Sequence, residues 1–349
     1  MSSNGLEGIV VADTSISDVD GERGKLVIAG RDVERLAREG FEVAAARVLA
    51  AGGRDTDPAA LRAELGAARE AAWVVLPRLG DALDAPDGMD ALRSALAHLH
   101  TGDDPVAAIG AAPVFVAAWS RRARGLAPLA PDRDLSHATD YLRMTRGMHG
   151  DAAAVIALDT YLATVIDHGM NASTFAARVV TSTGSDLVSA VVAGVGALKG
   201  PLHGGAPGPV LDMLDAIGTA DRAEPWLLAE LAEGRRIMGM GHRIYRVRDP
   251  RAAVLEEAVK PLASPRLSLA RAVEAAAAKI LRERKPDRSL AANVEFYTAV
   301  LLDAVGLPRT QFAPTFAVGR IAGWCAHVLE QRRTGRLIRP ASRYIGAAA

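Results

Sequence analysis

Cysteine is nearly absent from this 349-residue chain: Cys325 is the one thiol. No internal disulfide can therefore staple the fold, and a reducing compartment, the cytoplasm, is the expected setting. Surplus charge is absent too. The chain has 41 Lys plus Arg against 41 Asp plus Glu, which removes the basic excess of a general nucleic-acid binder. No run approaches the ~20 apolar residues of a membrane span. The opening MSSNGLEG lacks the basic-then-apolar pattern of a secretory signal. Aromatic residues make up only 4% although half the chain is apolar. An apolar content carried by alanine more than by aromatic residues favours helix over strand. It is also enough to bury one large domain or two ordinary ones. Arginine is what the chain has in quantity, at 36 of the 41 basic residues. Its guanidinium suits bidentate capture of carboxylate and phosphate.

The organisation reads as nearly all helix behind a small β element. Short apolar segments with β-branched residues at 9–11, 16–19 and 25–28 read as strands, with a turn at Asp20–Gly21. Helical spacing then recurs at 32–38, 41–51, 59–79, 90–99, 105–122, 136–146, 151–167, 187–198 and 209–217. A run over 252–284, broken near 261–265, and segments at 293–305 and 316–331 complete the pattern. Two glycine-rich stretches interrupt it: GPLHGGAPG at 200–208 and IMGMGHRIYRVRDPR at 237–251.

Those interruptions carry the chemistry-bearing candidates. Of eight histidines, His203 and His242 lie in the glycine-rich breaks, where backbone can approach a ligand and loops rather than helix faces do chemistry. His203 also precedes an expected helix start. A helix N-terminus disfavours imidazolium, so a histidine there stays neutral and can donate to a carbonyl. His327 and Glu330 sit one turn apart, but a lone pair of this kind is a poor metal site, and no metal is expected. GVGALKG at 194–200 closes an apolar helix and lacks GK[ST], so it is not a phosphate loop. Arg251 closes the second glycine-rich stretch, Arg320 interrupts an apolar helix and Arg339 precedes Pro340 in the tail. An arginine in an apolar segment needs a counter-charge or an anionic ligand. Together with two loop histidines, these arginines suit a substrate with several carboxylates.

With those residues in place, the strings DHGMNASTFAARVV (167–180), GPLHGGAPGPVLDML (200–214), GMGHRIYRVRDPR (239–251), NVEFYTA (293–299) and FAVGRIAGWCAHVLEQ (316–331) resemble the citrate synthase family, which includes 2-methylcitrate synthase. The resemblance runs from about residue 5 to residue 346. It implies an all-α, two-domain fold with a small N-terminal β-hairpin. The large domain would take residues 1–202 and 301–349, and the small domain 203–300 would close over the site. It implies condensation of oxaloacetate with acetyl-CoA as co-substrate, followed by thioester hydrolysis, with no further cofactor. The chain would be a cytoplasmic homodimer with no nucleic-acid or membrane partner.

By the same resemblance, His203 bonds the thioester carbonyl and His242 polarises the oxaloacetate ketone. His168, Arg251, Phe316 and Arg320 hold oxaloacetate, and Arg339 comes from the partner subunit. Arg246 and Asn293 fall at the coenzyme A site. The base departs from the family pattern. An aspartate is usual in the N-V-D string, whereas this chain has Glu295. The extra methylene adds roughly 1.5 Å of reach. A misplacement of about 1 Å can cost on the order of 10²-fold in rate, so the backbone is expected to have retreated. A 2-methylcitrate synthase using propionyl-CoA and a catalytically impaired binder of coenzyme A or dicarboxylates are the two alternatives.

Overall fold

Short polar residues stand at the helix starts and set the frame. Asp57, Asp87, Asp104, Ser136, Asp151, Asn171, Asp186, Asp249 and Asn293 each accept a backbone N–H from the first turn that follows them. The computed structural model describes residues 6, 8–100, 102–203, 207–285 and 290–347. Parts of the two expected connectors, 204–206 and 286–289, lie outside the described residues.

The β element is a three-stranded antiparallel sheet: β1 (Ser17–Asp20), β2 (Lys25–Ile28) and the two-residue β3 (Arg31–Asp32). Asp20 pairs with Lys25, so the turn spans 21–24 and is longer than the Asp20–Gly21 signal suggests. Residues 9–11 form no strand. Ile9 and Val10 are 50% and 83% exposed, and their apolar character has no partner strand to pair with.

Helices follow in the expected order: α1 (Val33–Glu39), α2 (Phe41–Gly52), α3 (Pro58–Val75), α4 (Gly88–Leu96), α5 (Pro105–Arg122), α6 (His137–Arg146) and α7 (Ala152–Thr164). Then come α8 (Ala172–Ser182), α9 (Leu187–Leu198), α10 (Pro207–Ile217), α11 (Ala223–Ala232), α12 (Pro250–Val259), α13 (Arg266–Arg284), α14 (Val294–Ala304) and α15 (Phe312–Thr334). Two of these, α8 and α11, have no counterpart in the helical pattern read from the sequence. Two expected helices are shorter. The segment expected over 59–79 passes into a tight turn at Leu76–Arg78, where Pro77 sits. The one expected over 151–167 stops at Thr164, which leaves 165–168 as irregular backbone beside the site.

The core is built around α5 and α15, which are buried along most of their length. Close approach depends on small residues. A Cβ on Gly323 of α15 would lie 2.1 Å from the Ile166 carbonyl oxygen, so only glycine lets α15 press against the 165–168 segment.

Candidate active site

Three loops converge. The first is 165–171, between α7 and α8. Its Asp167 is fully buried, accepts from Gly169 N at 3.0 Å and from Ser17 Oγ, and faces His327 Nε2 at 3.1 Å. Burial raises the Asp167 carboxyl, but His327, Arg320 and the Ser17 hydroxyl outweigh it and hold the group below its ordinary value. His327 in turn meets Arg178 at 3.1 Å, and Arg178 pairs with Glu330 at 2.8 Å. This buried chain of polar groups ties the loop to α8 and α15. The H-x-x-E pair, read as no metal site, belongs to it.

The second loop carries His242 and the third leads into Glu295. They are joined backbone to backbone: Gly241 N donates to Ala291 O at 2.7 Å and Asn293 N to Gly239 O at 2.9 Å. The sheet supports the second loop from outside, with Arg246 N donating to Gly21 O at 2.9 Å. A Cβ on Gly21 would lie 2.3 Å from the Ile244 carbonyl, so the turn fits only as glycine.

The histidines are held as neutral donors. His242 Nδ1 accepts from Ile244 N at 3.0 Å and Tyr245 N at 3.2 Å, which leaves its proton on Nε2. Burial, then the charge of Arg251, pulls its pKa down to about 4. His203 Nε2 accepts from Ser173 N at 3.3 Å, and the Ser173 hydroxyl lies 2.8 Å away. Its proton is therefore on Nδ1. Burial, then Arg320, lowers it to about 4. The expected helix start after His203 is that of α10 at Pro207, and the His203 ring also meets Ser173 in the first turn of α8, two residues after Asn171. His168 lies edge-on to His242 with ring centroids 5.4 Å apart. Burial and Arg251 keep it far below its ordinary value.

The charged groups are arranged unequally. Arg251 is gripped by Asp249, with Nε at 3.0 Å and one terminal nitrogen at 2.7 Å. Asp249 also receives Val294 N at 3.1 Å, which ties this pair to the start of α14. Arg320 is 1% exposed and gives Nε to the Val165 carbonyl at 2.6 Å. One of its terminal nitrogens is buried without a partner. Its guanidinium stands 4.8 Å from the centre of the Phe316 ring. Burial lowers it to about 10, so it stays cationic at neutral pH. Glu295, 9% exposed, starts α14 with its N–H on the Asn293 side chain. Among the described residues it is the one carboxylate with a buried oxygen that lacks a partner. Burial pushes its pKa up to about 7, against the opposing pull of Arg251 and Arg320.

Comparison with known proteins gives the family and the fold. The family profile "Citrate synthase, C-terminal domain" matches residues 5–341. This chain belongs to the citrate synthase family. The citrate synthase of Deinococcus radiodurans is 35% identical over 99% of the chain and 96% of that protein. The 2-methylcitrate synthase of Mycobacterium tuberculosis is 36% identical over 98% and 90%. The crystal structure of citrate synthase from Thermotoga maritima superposes with a TM-score of 0.87 at 33% identity, covering 100% of this chain and 97% of that one. The protein is thus a condensing enzyme of the transferase class with the mainly helical citrate synthase fold.

Within the citrate synthase frame, His168, His203, His242, Arg251, Glu295, Phe316 and Arg320 gather around the three loops. Three further residues do not join them in this way. Arg339 is exposed in the tail and lines a groove with Phe175, Arg178 and Arg343. Arg246 is exposed, with Glu22 3.9 Å away. Asn293 spends its side chain on backbone, accepting from Glu295 N and donating to Gly241 O at 2.9 Å. One of its two amide N–H donors thus joins the His242 loop to the start of α14. Sequence reasoning passed over Ser173, Tyr245 and Asp249. Asp249 had a signal, because Asp before Pro is a helix-start signature. The other two had none.

Proposed function

We propose that this enzyme condenses oxaloacetate with acetyl-CoA and hydrolyses the resulting thioester to citrate and free coenzyme A. The observation that carries the reading is Glu295. A buried carboxylate poised near neutrality within reach of two arginines is suited to general-base work. An acyl methyl is a very weak acid, and its proton leaves only if the enolate oxygen is stabilised at the same moment. His203 Nδ1–H supplies that donor. The enolate carbon then attacks the ketone, and His242 Nε2–H gives the new alkoxide its proton. Arg251, Arg320 and His168 hold the keto-diacid, with Phe316 packed beneath the Arg320 guanidinium. Water then cleaves the thioester. No other cofactor enters the scheme.

In this reading residues 203–300 form the small domain, whose closure excludes water until the carbon–carbon bond exists. Helices α10 to α14 pack on one another, while α12 and α14 also pack on α7. The active unit is a homodimer. Phe175, Ala176, Val179 and Val180 of α8, with Val192, Ala193, Gly196 and Ala197 of α9, leave an apolar face half-buried, as expected for an isologous interface. Arg339 reaches the partner's site, and Arg246 stands at the coenzyme mouth. Buried Cys325, the one thiol, favours a reducing compartment, and we assign the cytoplasm.

Propionyl-CoA is the competing substrate, favoured by the 36% identity to a 2-methylcitrate synthase. One extra methyl is worth about 1–3 kcal/mol of discrimination. Thiol release with oxaloacetate, measured in parallel for acetyl-CoA and propionyl-CoA, decides the matter. A higher kcat/KM for acetyl-CoA supports the proposal, a preference for propionyl-CoA replaces it, and release with neither leaves a non-catalytic binder.

A further inference from the structure

Tyr245 was not among the residues picked out from the sequence, yet it touches two of the site histidines in two different ways. Its backbone N–H donates to His242 Nδ1 at 3.2 Å. Its hydroxyl lies 3.1 Å from His168 Nε2. Its ring centroid stands 4.7 Å from that of His242 and 5.5 Å from that of His168. The side chain is 1% exposed, and among the described residues His168 is the one hydrogen-bond partner of its hydroxyl.

The direction of the His168 bond follows from counting protons. A neutral imidazole has one N–H and one lone pair. If His168 Nε2 donated, the buried phenol proton would lose its partner, which costs about 1–3 kcal/mol. The His168 lone pair would then sit on Nδ1, on a ring that has Arg251 and Arg320 close by. If the phenol donates instead, its proton is satisfied and His168 carries its own on Nδ1. Burial raises the phenol pKa, so it remains a donor at any working pH.

We infer that Tyr245 is a positioning residue for oxaloacetate binding, fixing His168 as the Nδ1–H tautomer through its hydroxyl while its backbone fixes His242 as the Nε2–H tautomer. Two adjacent histidines are thereby turned into two donors for one keto-diacid. A neighbouring pair of unrestrained imidazoles would populate mixed tautomers and present lone pairs to the substrate part of the time. The inference rests on the proposed reading of this site as an oxaloacetate pocket.

Tyr245→Phe tests it, because the ring, its packing and the backbone N–H all remain. Three readouts are compared with the wild type: KM for oxaloacetate, kcat, and the imidazole ¹⁵N resonances of His168. The expected result is a rise in KM of about five- to tenfold and kcat within about twofold. The His168 resonances should move from the Nδ1–H pattern toward a tautomer mixture. An unchanged KM or an unchanged His168 tautomer overturns the inference, and so does a fall in kcat at constant KM. If the wild type itself releases no thiol with either acyl-CoA, the proposed reaction fails. The ¹⁵N comparison still decides the role of Tyr245 in that case.

Discussion

Replacing Glu295 with Gln separates what this carboxylate does for the reaction from what it costs the fold. The side chain is 9% exposed and one of its oxygens has no partner. Its pKa stands at about 7 against an ordinary value of 4.5. The folded chain therefore binds this proton more tightly than the unfolded chain does. Between pH 4.5 and about 7 the native state holds more protons, so stability falls as pH rises through that window. At about 1.4 kcal/mol per unit, the ionised group costs about 3 kcal/mol once pH exceeds 7. An unfolding entropy of about 2 cal/mol/K per residue over 349 residues makes that about 4 °C in Tm. Gln has the shape of the protonated acid and never ionises. The Glu295→Gln variant should melt about 4 °C above wild type at pH 8 and within about 1 °C of it at pH 5. Its turnover should fall by about 10²–10⁴, the usual contribution of a general base. Its oxaloacetate KM should stay within about threefold, because Arg251 and Arg320 are untouched. Scanning calorimetry at the two pH values and a thiol-release assay measure all three. Turnover within tenfold of wild type, or no gain in Tm at pH 8, would refute the reasoning.

Three further outcomes are expected. The wild-type kcat/KM should fall tenfold per pH unit below about 7 as Glu295 takes up its proton; a limb centred near 4.5 would point to a different, ordinary carboxylate. Arg320→Met should raise the oxaloacetate KM by about 30-fold or more, since a buried guanidinium with an unpartnered nitrogen is removed. Its Tm should fall, because the Val165 carbonyl loses its donor and the buried Asp167 carboxylate loses a nearby cation; an unchanged KM in steady-state assays would contradict the binding role. Gly21→Ala should push the Ile244 carbonyl away from the turn, because the new Cβ would lie 2.3 Å from it. A loss of about 1–3 kcal/mol in stability should accompany reduced kcat, and urea denaturation alongside kinetics would expose an inert substitution.

Much of this protein could be read along the chain. Apolar spacing and alanine content determine a mainly helical fold, because periodicity of 3.6 is a local property of the residues. The short polar starts and glycine-rich breaks determine where helices begin and where loops are free to carry His203 and His242. Arg320 stood out as a charge inside an apolar segment, and the structure leaves part of it unpartnered. Limits of the local reading show at α8. DHGMNASTFAARVV was legible as a motif but not as a helix, although Asn171 caps one there.

What tertiary structure alone decided is the state of each group. His203 is kept neutral by burial and by Arg320, and its Nε2 meets Ser173, 30 residues earlier in the chain. Glu295 is poised near 7 because burial withholds water from it, and no spacing in the sequence encodes burial. Tautomers depend on which donor faces which nitrogen, as Tyr245 does for His168. Residue identity sets which protons are available. Where those protons reside is set by contacts between segments far apart in the chain, because hydrogen bonding and desolvation act through space.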